Sequence, residues 1–230
     1  IKALSNTELS GMTTAQVAAL TSDQIKSVTT SALAGLSTAQ VAGLTTGQVA
    51  ALTATQVTAM ETADVAALSS SQARALSTSQ VAALTTDQVA ALETEDIASL
   101  ATGRIAALTT TQIALSVTTE QIAALGTAQV ASLTTRQISQ GLTTDHIVAL
   151  GSDQLLALST LQFVAFTTDQ LQAIETADLA VLKTAQLAAL TTNQLSLGLN
   201  TDQIVALTTL QVAALRTAQL AAMGTDQIAA

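Results

Sequence analysis

The chain has 230 residues and a formal charge of −9, with seven Lys plus Arg and no Trp, Tyr, Cys or Pro. So few cations leave no basic footprint for displacing phosphate counterions, which argues against a nucleic-acid binder. The lack of cysteine rules out disulfides and thiolate metal sites.

Phe163 and Phe166 are the only aromatics, so any core must be built from Leu, Ile, Val and Ala instead of large rings. Mean hydropathy is +0.48, yet no apolar run approaches the roughly 18 residues of a membrane span. Leu155 to Leu158 and Phe163 to Phe166 are typical of the short apolar stretches. A soluble chain that does not span a membrane is expected. No signal-peptide pattern opens it, and it begins and stops inside a repeat, which reads as a segment of a longer array.

From Ser5 onward the sequence divides into 28 units of eight residues, the last one short by a residue. Internal repeats of this kind override any globular default. Thr13 to Leu20 is representative, and Thr85 to Leu92 and Lys183 to Leu190 are close copies. Three units carry nine residues: Thr109 to Val117, Thr134 to Leu142 and Thr191 to Leu199. No linker or composition break interrupts the array, so residues 1–230 read as one tandem-repeat domain.

Each position has its own tolerance. Position one takes Thr, Ser, Glu, Lys, Arg, Gly, Ala or Asn and reads as solvent-facing. Position two is Thr or Ser except at Asn6 and Ala54, and position four is Gln in 21 of 28 units. Positions five and eight are aliphatic almost throughout and form the expected core. Position seven is small in the eight-residue units except at Val181.

A single long helix is excluded, because eight residues at about 100° each advance the apolar stripe by about 80° per unit. Heptad and eleven-residue coiled coils fail for the same reason. The Val-Ala-Ala-Leu core lacks strand alternation, and Ala and Gln favour helix. The expectation is an all-α solenoid, one very short helix per unit, coiled into an elongated rod; a β-helix-like solenoid is the alternative.

Thr or Ser at position two is read as the principal N-cap. A position-one Thr or Ser is expected to form a capping box with the Gln three residues on. Helices this short cannot stand alone and must stack. Gly141 and Gly198 fall where a helix C-terminus would accept a left-handed residue.

The number of units per coil stays open. Two per coil would give 14 coils and a rod on the order of 130 Å, and three about two-thirds of that. The units beginning at Glu61, Glu93 and Glu175 alone combine Glu at position one with Asp at position four (Asp64, Asp96, Asp178). They lie four and ten units apart, so a two-unit coil would place all three on one side.

Several residues invite a sharper reading. The Glu/Asp pairs offer carboxylates to Ca²⁺, but helix N-termini favour acids anyway and no Asp-rich calcium loop is present. His146 stands at a Gln position, and a lone histidine does not make a metal or catalytic site. Phe163 and Phe166 fill core positions. The repeated Thr would suit an ice-binding lattice, but Glu61, Lys183 and Arg216 interrupt it and capping accounts for it. The Gln row would suit a glycan, but pairing backbone groups at the coil junction explains it more simply. Its tolerance of Asp, Arg104, His146 and Ala32 suggests partial burial. No catalytic, cofactor-binding or metal residues are assigned and no cofactor is expected.

The pattern Leu-Thr-Thr-x-Gln-Val-Ala-Ala-Leu resembles the short Leu/Thr/Gln-rich tandem repeats of long bacterial surface and secreted, adhesin-like proteins. The resemblance covers essentially the whole chain and implies an extracellular or cell-surface, fibrous or adhesive role. It carries over no functional residue. The expected function is a stalk, spacer or filament-forming subunit without catalysis, self-associating end to end. A binding module that recognises a glycan or other partner along its face is the alternative.

Overall fold

The computed structural model describes residues 6–229. Among them are 28 helices, from α1 (Asn6–Ser10) to α28 (Thr225–Ala229), and no strand. The architecture is the α solenoid expected from the repeat, with one helix per unit. The chain falls into two compact units, residues 1–117 and 118–230.

The same local chemistry starts and stops each helix. In α2 (Thr14–Ala18) the preceding Thr13 is extended at φ −72°, ψ 160°, and its side chain accepts from the Gln16 backbone N–H. The helix closes when the Leu20 N–H turns back to the Val17 carbonyl at 3.1 Å. Thr21 is extended again at φ −72°, ψ 159°, and opens α3 (Ser22–Ser27). The cap is therefore position one, and position two is the first helical residue. This corrects the expectation that position two caps: only a residue outside the helix has the extended backbone that lets its oxygen reach the N3 amide.

Three helices make a coil. In the first unit α3 packs on α6 (Thr46–Ala51), α6 on α9 (Ser70–Ala75), and α9 on α12 (Thr94–Ser99). In the second, α20 (Thr160–Val164) packs on α23 (Thr184–Ala189), and α21 (Thr168–Gln172) on α24 (Thr192–Gly198). The even spacing of the Glu/Asp units thus misleads. Four is not a multiple of three, so Glu61/Asp64 and Glu93/Asp96 stand at different corners of the first unit.

Positions five and eight fill the interior as expected: Val81, Leu84, Val89 and Leu92 are all buried, and Phe163 and Phe166 meet edge to face at 5.3 Å. Position seven lies over position two of the coil below. A Cβ added to Gly43 would sit 3.5 Å from the Thr14 Cβ. That contact accounts for small residues at seven and short hydroxyl residues at two.

Two of the nine-residue units, those ending at Val117 and Leu142, absorb their extra residue in a wider last turn. The Leu142 N–H bonds the Gln137 carbonyl at 2.9 Å, five residues back. No described glycine has a positive φ, so the left-handed role expected of Gly141 and Gly198 is not what they do. Each ends its helix, buried. At Gly198 a Cβ would lie 3.0 Å from Leu171 Cδ1 and 3.4 Å from the Thr168 Cα, so the requirement is close approach of α24 to α21.

Candidate functional site: the glutamine corners

The chemistry of the fold concentrates at the corners, where one helix ends and the next begins. Gln80, third residue of α10 (Thr78–Ala83), shows the pattern. Its Oε1 accepts the Ser77 N–H at 2.6 Å, while Ser77 Oγ accepts the Gln80 N–H at 3.3 Å. This is the reciprocal capping box expected from the sequence. Its Nε2 donates to the Val49 and Leu52 carbonyls at 2.8 and 2.7 Å. Those carbonyls end the helix four units earlier, at the corner one coil below. One amide group thus satisfies an orphan donor of its own helix and, at Leu52, an orphan acceptor of another.

The arrangement repeats. Gln48 reaches Val17 and Leu20, both at 2.8 Å, and Gln186 reaches Leu155 and Leu158 at 2.9 and 3.0 Å. Pairing of backbone groups at the junction is what the sequence suggested. The burial is deeper than the partial burial expected: Gln48, Gln80 and Gln186 are 2%, 1% and 1% exposed. Substitution here does not reflect solvent access, because each substitute meets the corner in its own way. Arg104 Nε donates to the Leu76 carbonyl at 2.7 Å. His146 Nδ1 accepts from the Thr143 N–H at 3.2 Å and stands in for the amide oxygen. Ala32 keeps only the cap, its N–H bonding Thr29 Oγ1 at 3.2 Å.

Long side chains at position one reach the carbonyls of the same corners, a contact invisible in a repeat of eight letters. Lys183 Nζ donates to the Leu156 carbonyl at 2.6 Å, and Arg216 donates to the Ala188 and Leu190 carbonyls at 2.6 and 3.2 Å. The helix C-terminal carbonyls are electronegative and draw cations.

A family model described as the ALTTAQ repeat matches residues 1–30, 26–54, 57–94, 89–126, 171–209 and 206–230. The chain belongs to the ALTTAQ-repeat family. No curated protein matches it. The six letters of the ALTTAQ motif run from position seven of one unit to position four of the next, as Ala124 to Gln129 does with Gly126 at the first Thr. The motif is therefore the corner itself: closing leucine, cap, first helical residue and bridging glutamine.

Three acidic units break the ALTTAQ rule. Asp64, Asp96 and Asp178 occupy the Gln position and are 2%, 2% and 8% exposed, and their caps Glu61, Glu93 and Glu175 make no side-chain cap bond. Burial raises the Asp64 pKa above its ordinary value, and the Glu61 charge adds to this. The Thr38 hydroxyl and the Glu61 N–H donate to the carboxylate and oppose the rise. Asp178 takes a hydrogen bond from Ser152. Among the described residues no group of three or more His, Cys, Asp or Glu is placed to hold a metal. A shallow depression of about 620 Å³ lined by residues including Gln172, Asn200 and Asp226 brings together no nucleophile and base. No helix of the described residues is long and apolar enough to cross a membrane.

Proposed function

We propose that the chain is a structural segment, a stalk, spacer or filament-forming subunit without catalytic activity, exposed at a bacterial surface or secreted. One observation carries this reading. Within each of the two units, buried amides are spent on fastening one coil to the one below, by bonds that recur from corner to corner. Coils that contact only their neighbours form an array whose extent follows the repeat number.

End-to-end self-association is part of the same proposal, because each coil offers the next the same donors and carbonyls that it takes from the one before. Gln16 is exposed and Gln24 partly so, each with its Oε1 bonded to its own cap. At the other end Val212, Leu220 and Ile228, all at core position five, are 40%, 36% and 63% exposed. Coils within each unit share one register, so a coil of another copy of the chain would meet the same donors and carbonyls. A head-to-tail contact that does not close on itself extends into fibres.

Electron microscopy of the purified chain across a concentration series tests this. Fibres that lengthen with concentration are expected. Discrete particles at every concentration, together with specific hits on a glycan array, would replace the structural reading with that of a binding module.

A further inference from the structure

Two corners of the first unit are short of donors. Where Gln supplies an N–H pair to the carbonyls of the coil below, Asp64 and Asp96 bring a carboxylate. By the register of the ladder, in which Gln80 meets carbonyls 31 and 28 residues earlier, the corner below Asp64 is the end of α4 (Thr30–Ala34), with the Leu33 and Leu36 carbonyls, and the corner below Asp96 is the end of α8 (Thr62–Ala66), with those of Val65 and Leu68. Asp64 Oδ2 and Asp96 Oδ2 are buried side-chain oxygens with no hydrogen-bond partner. An unpaired buried carboxylate oxygen is costly, and a buried charge is ordinarily neutralised or paired.

The rest of the chain shows what these carbonyls accept. Lys183, Arg216 and Arg104 each place a tethered cation on carbonyls of the equivalent corner four units earlier. In the two acidic corners no tethered cation is present. Position one, from which Lys183 and Arg216 reach down, holds Glu61 and Glu93, both exposed and free of any cap bond. Glu occurs at position one only where Asp occupies position four.

We infer that the Glu61/Asp64 and Glu93/Asp96 corners each bind one hard divalent cation of the calcium type. Two carboxylates balance its charge. The Leu33 and Leu36 carbonyls, or those of Val65 and Leu68, supply neutral oxygens, and water enters from the exposed Glu side. Oxygen-only, mixed carboxylate and carbonyl coordination is what such a cation prefers. The bound ion would do from solution what Lys183 and Arg216 do covalently, tying one coil to the next. Asp178 takes a hydrogen bond from Ser152 as Asp64 does from Thr38, but it has no orphaned buried oxygen and is not included.

Isothermal titration of the full chain with CaCl₂, after exhaustive chelation, tests the inference. Two equivalents of Ca²⁺ per chain are expected, with a melting temperature that climbs with Ca²⁺ concentration. Glu61→Thr, Asp64→Gln, Glu93→Thr and Asp96→Gln combined restore the ladder consensus. That variant is expected to take up none and to melt in chelator no lower than the parent. Asp64→Asn with Asp96→Asn keeps side-chain size, removes charge, and should weaken uptake at least tenfold. Circular dichroism of both variants separates lost binding from lost folding. No uptake at millimolar Ca²⁺ would overturn the inference, as would uptake unchanged in either folded variant. So would a chain indifferent to Ca²⁺ whose melting temperature rises on acidification, since the two carboxyls would then be neutral acids donating a proton to the carbonyls.

Discussion

Gln80→Ala removes three hydrogen bonds from a fully enclosed corner. The Val49 carbonyl keeps a partner in the Leu84-equivalent closing amide of its own unit, the Leu52 N–H at 3.3 Å. The Ser77 N–H and the Leu52 carbonyl are left without theirs. A buried polar group stripped of its partner costs about 1–3 kcal/mol, so the two together cost roughly 2–6 kcal/mol. Gln16→Ala is the matched control. Gln16 is exposed and bonds only the Thr13 N–H at 2.8 Å, so its loss is repaired by water and costs under about 1.5 kcal/mol. Since coils open locally, amide hydrogen exchange is the fitting assay. The Val81 amide reports the first variant and the Val17 amide the second. Exchange at Val81 should accelerate at least about 30-fold, each 1.4 kcal/mol being a factor of about ten. Equal effects in the two variants, or a change at Val81 below about 1 kcal/mol, would refute the claim that the amide bridge holds the coils together.

Thr85→Ala deletes the cap bond to the Gln88 N–H, 3.1 Å long, and should cost about 1 kcal/mol in denaturant unfolding; Thr86→Ala, at the first helical position, loses no cap bond and should cost less. Gly198→Ala is expected to destabilise despite the better helix propensity of alanine. Crowding against Leu171 and Thr168 costs about 1–3 kcal/mol, more than the propensity gain of at most about 1 kcal/mol, and a lowered melting temperature checks it. Ser116→Ala should stabilise by about 1 kcal/mol, because its buried hydroxyl has no hydrogen-bond partner. His146→Gln restores the ladder consensus and should leave the melting temperature unchanged or higher.

Much was legible from eight letters. The spacing of Leu and Val against Thr and Gln excluded a continuous helix and required a break in every unit, and the Thr-x-x-Gln pairing spelled out the capping box. Those are local facts, set by interactions within one turn of the chain. The position of the cap was not legible. Position two looked stricter, but its strictness comes from the packing of Thr14 under Gly43 in the coil above. Strictness in a column records constraint without saying whether the constraint is local or tertiary. Likewise, the replacement of Gln by Arg104 or His146 resembled solvent tolerance, and only the coordinates show these side chains serving the same buried corner.

The sequence by itself determined the unit: its length, its helix, its cap and its two core positions, since all of these depend on neighbours within eight residues. The tertiary structure alone decided that three units close a coil, that buried glutamine amides such as Gln80 fasten onto carbonyls roughly thirty residues earlier, and that Asp64 and Asp96 are each buried with one oxygen unpartnered. Coil number depends on the small angle at each corner, and no single residue type encodes it. It accumulates from packing between helices distant in sequence, and with it the identity of every partner across the corner.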